Sequence, residues 1–306
     1  MKDEATERLS RKGLFHLGLV YFVWSTTYLA MRIGVTPGDG FPPFLFGAFR
    51  APVAAAILLA ISFLRGLPMR PTRSESVSLI ATGWLLWLGG NGLILWAEQY
   101  AASGFACLMV SSAPIWVTIL ELLLYRKKPP LSLVVSLVLG FGGVAVLSAA
   151  SFEISGTTRV SAIVALVLAP LSWALGSVIQ SRRPVSLAPQ VMSGYQQAAA
   201  SVGFAPLALG FQESVPHPGV GAWLAWGYLV VFGSVIAFTS FVVVLQLLPI
   251  NIVMTYAYVN PVLALFLGWL LLGEAVPAIT MVGASLVMVS VFMIFRIRSV
   301  AGVTRR

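Results

Sequence analysis

Apolar residues run through this chain in blocks of about twenty, separated by short polar turns, and an α-helix of that length crosses a hydrocarbon layer of about 30 Å. Ten such blocks are expected to be helical spans, at residues 14–34, 43–64, 76–97, 102–124, 131–150, 160–180, 188–210, 222–246, 250–272 and 277–297. The seventh, carrying QVMSGYQQAAASVGFAPLALGF, is the least apolar, and without it nine remain. The leading segment MKDEATERLSRKG is polar and of mixed charge. No small-residue cleavage site follows the first apolar block, so the segment reads as cytoplasmic rather than as a signal peptide.

The pattern repeats. Sliding the chain by 147 positions sets Gln99 on Gln246, Pro114 on Pro261, Leu120 on Leu267, Leu123 on Leu270 and Pro130 on Pro277. Within two residues of the same offset, Trp24 meets Trp173, Pro43 meets Pro189, Arg50 meets Gln197, Leu139 meets Leu286 and Val144 meets Val291. Two units are therefore expected, 1–150 and 151–306, each a five-helix repeat.

Composition agrees with a polytopic membrane protein: 58% of the 306 residues are hydrophobic and 9% charged, against about 25% charged in soluble domains. The single cysteine, Cys107, excludes an intramolecular disulfide and a cysteine-based metal cluster. The net charge of +9 raises the question of nucleic acid, but the charges lie in the loops, where they orient the chain. With the N-terminus inside, sixteen Lys and Arg fall on the inner side, Arg32 and Arg159 on the outer side, and Arg50 within a span. Short basic loops stay cytoplasmic, so ten spans with both termini cytoplasmic is the expected topology. A five-span unit crosses an odd number of times, so its second copy lies inverted. The turn after the fourth span reads Arg126-Lys127-Lys128 and its counterpart after the ninth reads Gly273-Glu274-Ala275, as inversion requires. Inverted repeats place a binding site near the midplane, reached alternately from either face.

Trp24-Ser25-Thr26-Thr27-Tyr28 followed by Arg32, Pro42-Pro43 followed by Arg50, Asn91 to Ala97, Tyr100-Ala101-Ala102, mid-span Pro114, Leu272-Gly273-Glu274 and Gly283 occur in that order. Together they resemble the EamA-type exporters of the drug/metabolite transporter superfamily, over nearly the whole chain. The resemblance implies a ten-helix bundle around a central cavity and export of small metabolites, often amino acids, across the bacterial inner membrane; aromatic amino-acid exporters are the most similar. One departure is that Arg126 and Lys127 stand where such proteins often carry a glutamate.

Polar groups inside the bilayer need a cavity or a partner. Asn91, flanked by glycines, either faces a cavity or makes an interhelical hydrogen bond. Trp24 and Trp173, at matched positions, are expected to line the cavity, with Tyr28, Ser111, Tyr256, Tyr258 and Asn260 as further candidate substrate contacts. Pro114 and Pro261 each remove a helical hydrogen bond, freeing the carbonyls of Val110 and Ala257, and are candidate hinges. Arg50 has three outcomes open: snorkelling outward, pairing with Glu98 or Glu274, or receiving a carboxylate. The ion pair ranks first because unpaired burial is so unfavourable. Glu121 is expected to pair with the basic turn beside it, and no carboxylate is placed at the midplane as a proton carrier.

The leading expectation is a monomeric exporter of amino acids of broad specificity, embedded in lipid, without cofactor or metal. A carrier of other metabolites or drugs, or a phosphorylated-metabolite exchanger, is the alternative, and the latter needs more cations than Arg50. A membrane-embedded enzyme is disfavoured: His16 and His217 lack a carboxylate cluster, and no GxxxxGK[ST] loop exists for ATP.

Overall fold

A computed structural model describes residues 9–101, 103–149, 159–183, 185–272 and 278–301. The described residues are helical, without strands. Nine segments among them are long and apolar enough to span a bilayer. Each half begins alike. Helix α1 is Arg11–Gly34 and α2 is Pro43–Leu64; α8 is Val160–Arg182 and α9 is Pro189–Gly210. A proline opens both α2 and α9, where its missing N–H costs nothing.

The seventh expected span is helical, as α9, 22 residues long, but it is not among the nine segments apolar enough to cross a membrane. Its polarity faces inward: Gln196 donates to Thr82 Oγ1 at 2.8 Å and to Gln180 Oε1 at 2.7 Å, and Gln197 to the Ser234 carbonyl at 3.3 Å, while the Oε1 atoms of both are buried without donors.

The third block comprises α3 (Arg73–Gly83), a π-helical stretch at Trp84–Gly92, and α4 (Leu93–Ala97). The fourth divides into α5 (Ser103–Val110) and α6 (Ala113–Tyr125), and the fifth is α7 (Leu131–Ala149). In the other half, α10 (Val220–Tyr228) leads through a second π-helical stretch, Leu229–Ala237, into α11 (Phe238–Leu247). Short α12 (Ile250–Val253), α13 (Tyr256–Leu272) and α14 (Ala278–Ala301) complete the chain. The chain breaks before Pro114, which sits in the first turn of α6. At Pro261 it does not break: α13 runs through that proline, and the ninth block is interrupted earlier, at Met254 and Thr255.

The strongest pairings join matched helices, α2 to α9 and α7 to α14. Both run antiparallel. Gly47 abuts Phe204 while Gly194 abuts Leu59; Gly143 abuts Gly283 while Ser290 Oγ donates to the Ser136 carbonyl at 2.6 Å. A Cβ on Gly143 would lie 2.8 Å from the Gly283 carbonyl oxygen, and a Cβ on Gly283 equally close to that of Gly143. Only glycine allows that approach on both sides, the close backbone packing that drives helix association in lipid.

Candidate functional site: a central aromatic cavity

Helices α1, α2, α4, α5, α6, α8, α11 and α13 and both π-helical stretches line a central cavity of about 60 Å³. That is room for about four waters at roughly 15 Å³ each and well below the roughly 300 Å³ at which ligand pockets begin. A substrate enters only if the walls part.

The lining is aromatic. Trp24 stands at the centre of a cluster, with ring centroids 5.4 Å from Trp173, 4.9 Å from Tyr256 and 5.1 Å from Phe241. Edge-to-face contacts of this kind order rings that would otherwise turn freely. The Trp24 and Trp173 predicted at matched positions are thus in contact, and both line the cavity with Tyr28, Asn91 and Tyr256.

Three other predictions lie elsewhere. Ser111 Oγ donates to the Ala257 carbonyl at 2.9 Å and to the Cys107 carbonyl at 2.8 Å. The carbonyl that Pro261 releases is therefore satisfied from the other half and is not offered to a substrate. Fully buried Tyr258 donates to the Leu137 carbonyl at 3.1 Å. The amide nitrogen of Asn260 faces the carbonyls of Tyr256 and Tyr21, each at 3.1 Å. None of the three lines the cavity. The break before Pro114 resets the helical phase, so residues on its two sides no longer share the face an unbroken helix would give them.

Arg50 makes no ion pair among the described residues. It is buried, its Nε donates to Ser234 Oγ at 2.8 Å, and its guanidinium lies 5.0 Å from the centroid of Trp87. A cation over an indole face gains part of what burial removes. Both carboxylate oxygens of buried Glu98 lack a hydrogen-bond partner, so the expected Arg50–Glu98 pair is absent, and Glu274 lies outside the described residues. Gly233 makes the room: a Cβ there would come within 2.9 Å of Arg50 Nη2. Arg50 Nη1 and Trp87 Nε1 are buried without acceptors, the Trp173 indole N–H faces the Tyr256 hydroxyl, and all four residues line the cavity. Asn91 makes no hydrogen bond among the described residues.

Sequence reasoning missed Trp87, Thr27, Phe238 and Gly233 as lining residues. Trp87 was within reach, since it precedes Asn91 by four positions and shares its helical face.

Each end of the bundle carries cross-links between the halves. At the end bearing Lys127 and Arg182, buried Glu121 pairs with Lys127 at 3.2 Å and with Arg182 of α8, while Glu75 accepts from Ser186. At the other end Glu213 caps α2, accepting from the amides of Phe44 at 2.9 Å and Leu45 at 2.7 Å. Partial burial moves the Glu213 carboxyl above its ordinary range, and those two bonds draw it part of the way back. Beside it opens a polar vestibule of about 390 Å³, lined by Thr36, Trp96, Gln99, Tyr100, Glu213 and His217 among others.

A lipid-spanning helical bundle with a closed central cavity between two halves is the architecture of a membrane carrier. The model of the EamA-like transporter family matches the chain twice, at residues 11–149 and 160–296, and the chain belongs to that family. It is a membrane transporter. It is 30% identical over 278 residues to the uncharacterized inner membrane transporter YedA of Escherichia coli strain K12, covering 90% of this chain and 88% of that one. It is also 23% identical over 287 residues to a probable terminal-alkyne amino-acid exporter of Streptantibioticus cattleyicolor, covering 93% and 94% of the two. A crystal structure shares the fold with a TM-score of 0.75 at 21% identity, covering 94% of this chain and 98% of that one.

Proposed function

We propose that the protein exports amino acids of varied side chain, aromatic ones included, across a bacterial inner membrane by alternating access. In this reading ten helices span the bilayer as two inverted five-helix repeats, 1–150 and 151–306, with both termini cytoplasmic and the monomer as the working unit. Supporting the inversion are the double match to the family model and the antiparallel pairing of α2 with α9 and of α7 with α14. The inner-membrane location rests on the name given to the Escherichia coli relative and on the charge of the loops.

The observation that carries the substrate class is the convergence of two unsatisfied donors, Arg50 Nη1 and Trp87 Nε1, on one aromatic cavity. Buried donors without acceptors are costly, and a carboxylate entering the cavity satisfies them together. The faces of Trp24, Tyr28 and Tyr256 then take the ammonium and the side chain, a surface that tolerates varied shapes. A phosphorylated metabolite, the alternative within transport, carries a second charge, and Arg50 is the lining residue with a cationic side chain. Loading requires the walls to part at one end, which breaks either the Glu121 or the Glu213 cross-links. Unloading requires the converse.

The test is uptake of a labelled amino-acid panel into liposomes containing the purified protein. Aromatic and aliphatic amino acids are expected to move at comparable rates, and Trp24→Ala and Trp173→Ala to change their order. If no amino acid moves, either under a pH gradient or against counter-substrate, the substrate assignment fails.

A further inference from the structure

Glu98 stands where the two cavities meet. Ile94, one turn before it, lines the central cavity, while Trp96, Gln99 and Tyr100 line the vestibule. On the facing helix, Met31 lines the first and Val35 the second. The wall between them is therefore one turn of each helix, and the Glu98 side chain is packed inside it at 1% exposure.

Among the described residues neither carboxylate oxygen has a partner. Arg32 is adjacent, but its Nη1 donates to the backbone carbonyls of Glu98 and, at 3.5 Å, of Ala101. The other ionisable groups close enough to sense Glu98 are Tyr28 on α1 and Cys107 on α5. The remaining cations around this wall are engaged elsewhere. Arg50 of α2 faces Ser234 and Trp87, and Arg159, ahead of α8, lies over the Tyr100 ring. A carboxylate cannot stay ionised and dry with neither a donor nor a paired charge, so it takes up a proton instead. The same side chain ionises once water reaches it, from the cavity or from the vestibule.

We propose that Glu98 is the proton-carrying group of the transport cycle, neutral while the empty cavity is closed and ionised while substrate occupies it. When the cavity opens at the Glu121 end, the carboxyl O–H bond breaks with its electron pair left on oxygen, the proton passes to water entering there, and substrate is loaded. When the wall between cavity and vestibule opens, substrate leaves and the carboxylate takes a proton from vestibule water, so the empty carrier returns neutral. One proton is thereby carried from the vestibule side to the Glu121 side for each substrate carried the other way. The inference rests on the central cavity being the substrate path.

Two measurements on the full-length protein test it. In detergent near neutral pH, the infrared spectrum of the wild type is expected to show a protonated carboxyl C=O band that shifts in D₂O and is missing in Glu98→Gln. The band should reappear at altered frequency in Glu98→Asp and fade as pH rises. In liposomes, a pH gradient is expected to drive accumulation of labelled phenylalanine by the wild type. Glu98→Gln should lose that accumulation at least tenfold while still exchanging phenylalanine across the membrane. Absence of a wild-type band that the glutamine variant removes overturns the proposal, as does undiminished accumulation by that variant. If neither protein moves phenylalanine, the amino-acid reading fails, and the infrared result still decides the proton.

Discussion

The two π-helical stretches, Trp84–Gly92 and Leu229–Ala237, stand at corresponding points of the two halves and do different work. Such stretches are rare and gather at functional sites because the widened turn re-aims side chains. The first points Trp87 and Asn91 into the cavity. The second contributes almost no side chain there. It supplies absence at Gly233 and an acceptor at Ser234, and between them they seat a cation that belongs to α2. One irregularity, used twice, thus yields a surface that touches the substrate and a socket that holds the group that binds it. The Arg50 counterpart in the repeat, Gln197, reaches the same Ser234 through its carbonyl.

If this division of labour holds, substitutions in the two stretches fail differently. The largest effect is expected from Arg50→Gln: a hydrogen bond to a charged group contributes about 1.5–3 kcal/mol, so half-saturation for amino acids should rise about tenfold to a hundredfold. Next, Gly233→Ala places a methyl against the guanidinium and should reproduce most of that loss, although residue 233 presents no polar group. Ser234→Ala leaves Arg50 Nε unsatisfied, a cost of about 1–2 kcal/mol, and should raise half-saturation about fivefold to thirtyfold for all amino acids alike. Asn91→Ala is expected to have the smallest effect, a few-fold change that differs from one side chain to another. Initial uptake rates in liposomes across a concentration series separate these cases. If Asn91→Ala and Ser234→Ala changed the same parameter in the same way for every side chain, the two stretches would not be divided as described.

Much of this was legible in the sequence, for identifiable reasons. Helix bounds followed from apolar length and punctuation: 43–64 was expected and Pro43–Leu64 is observed, because a proline opens that helix and a polar, glycine-containing turn ends it. The contact of Trp24 with Trp173 followed from the repeat, since residues matched across a pseudo-twofold meet when they lie near its axis. Other features left no mark. A π-helical turn has no composition of its own, so neither stretch was expected, and with them went Gly233 and Ser234. Ser111, Tyr258 and Asn260 bond to or face backbone carbonyls away from the cavity, because polarity inside a span shows that a partner is needed without showing which one. Glu98 was set at a span end, where hydration is the ordinary expectation. Only the packing of α1 against its helix reveals that the end is dry.

The most direct test of the central claim, that Arg50 and the Trp87 indole receive a carboxylate, is a paired measurement. Liposomes containing the wild type or Arg50→Gln are offered labelled phenylalanine and labelled phenethylamine, which differ by the carboxylate alone. The account predicts that the wild type carries phenylalanine and largely rejects the amine, and that Arg50→Gln loses the preference. Equal transport of both compounds by the wild type, or a preference for the amino acid that survives in Arg50→Gln, would contradict it.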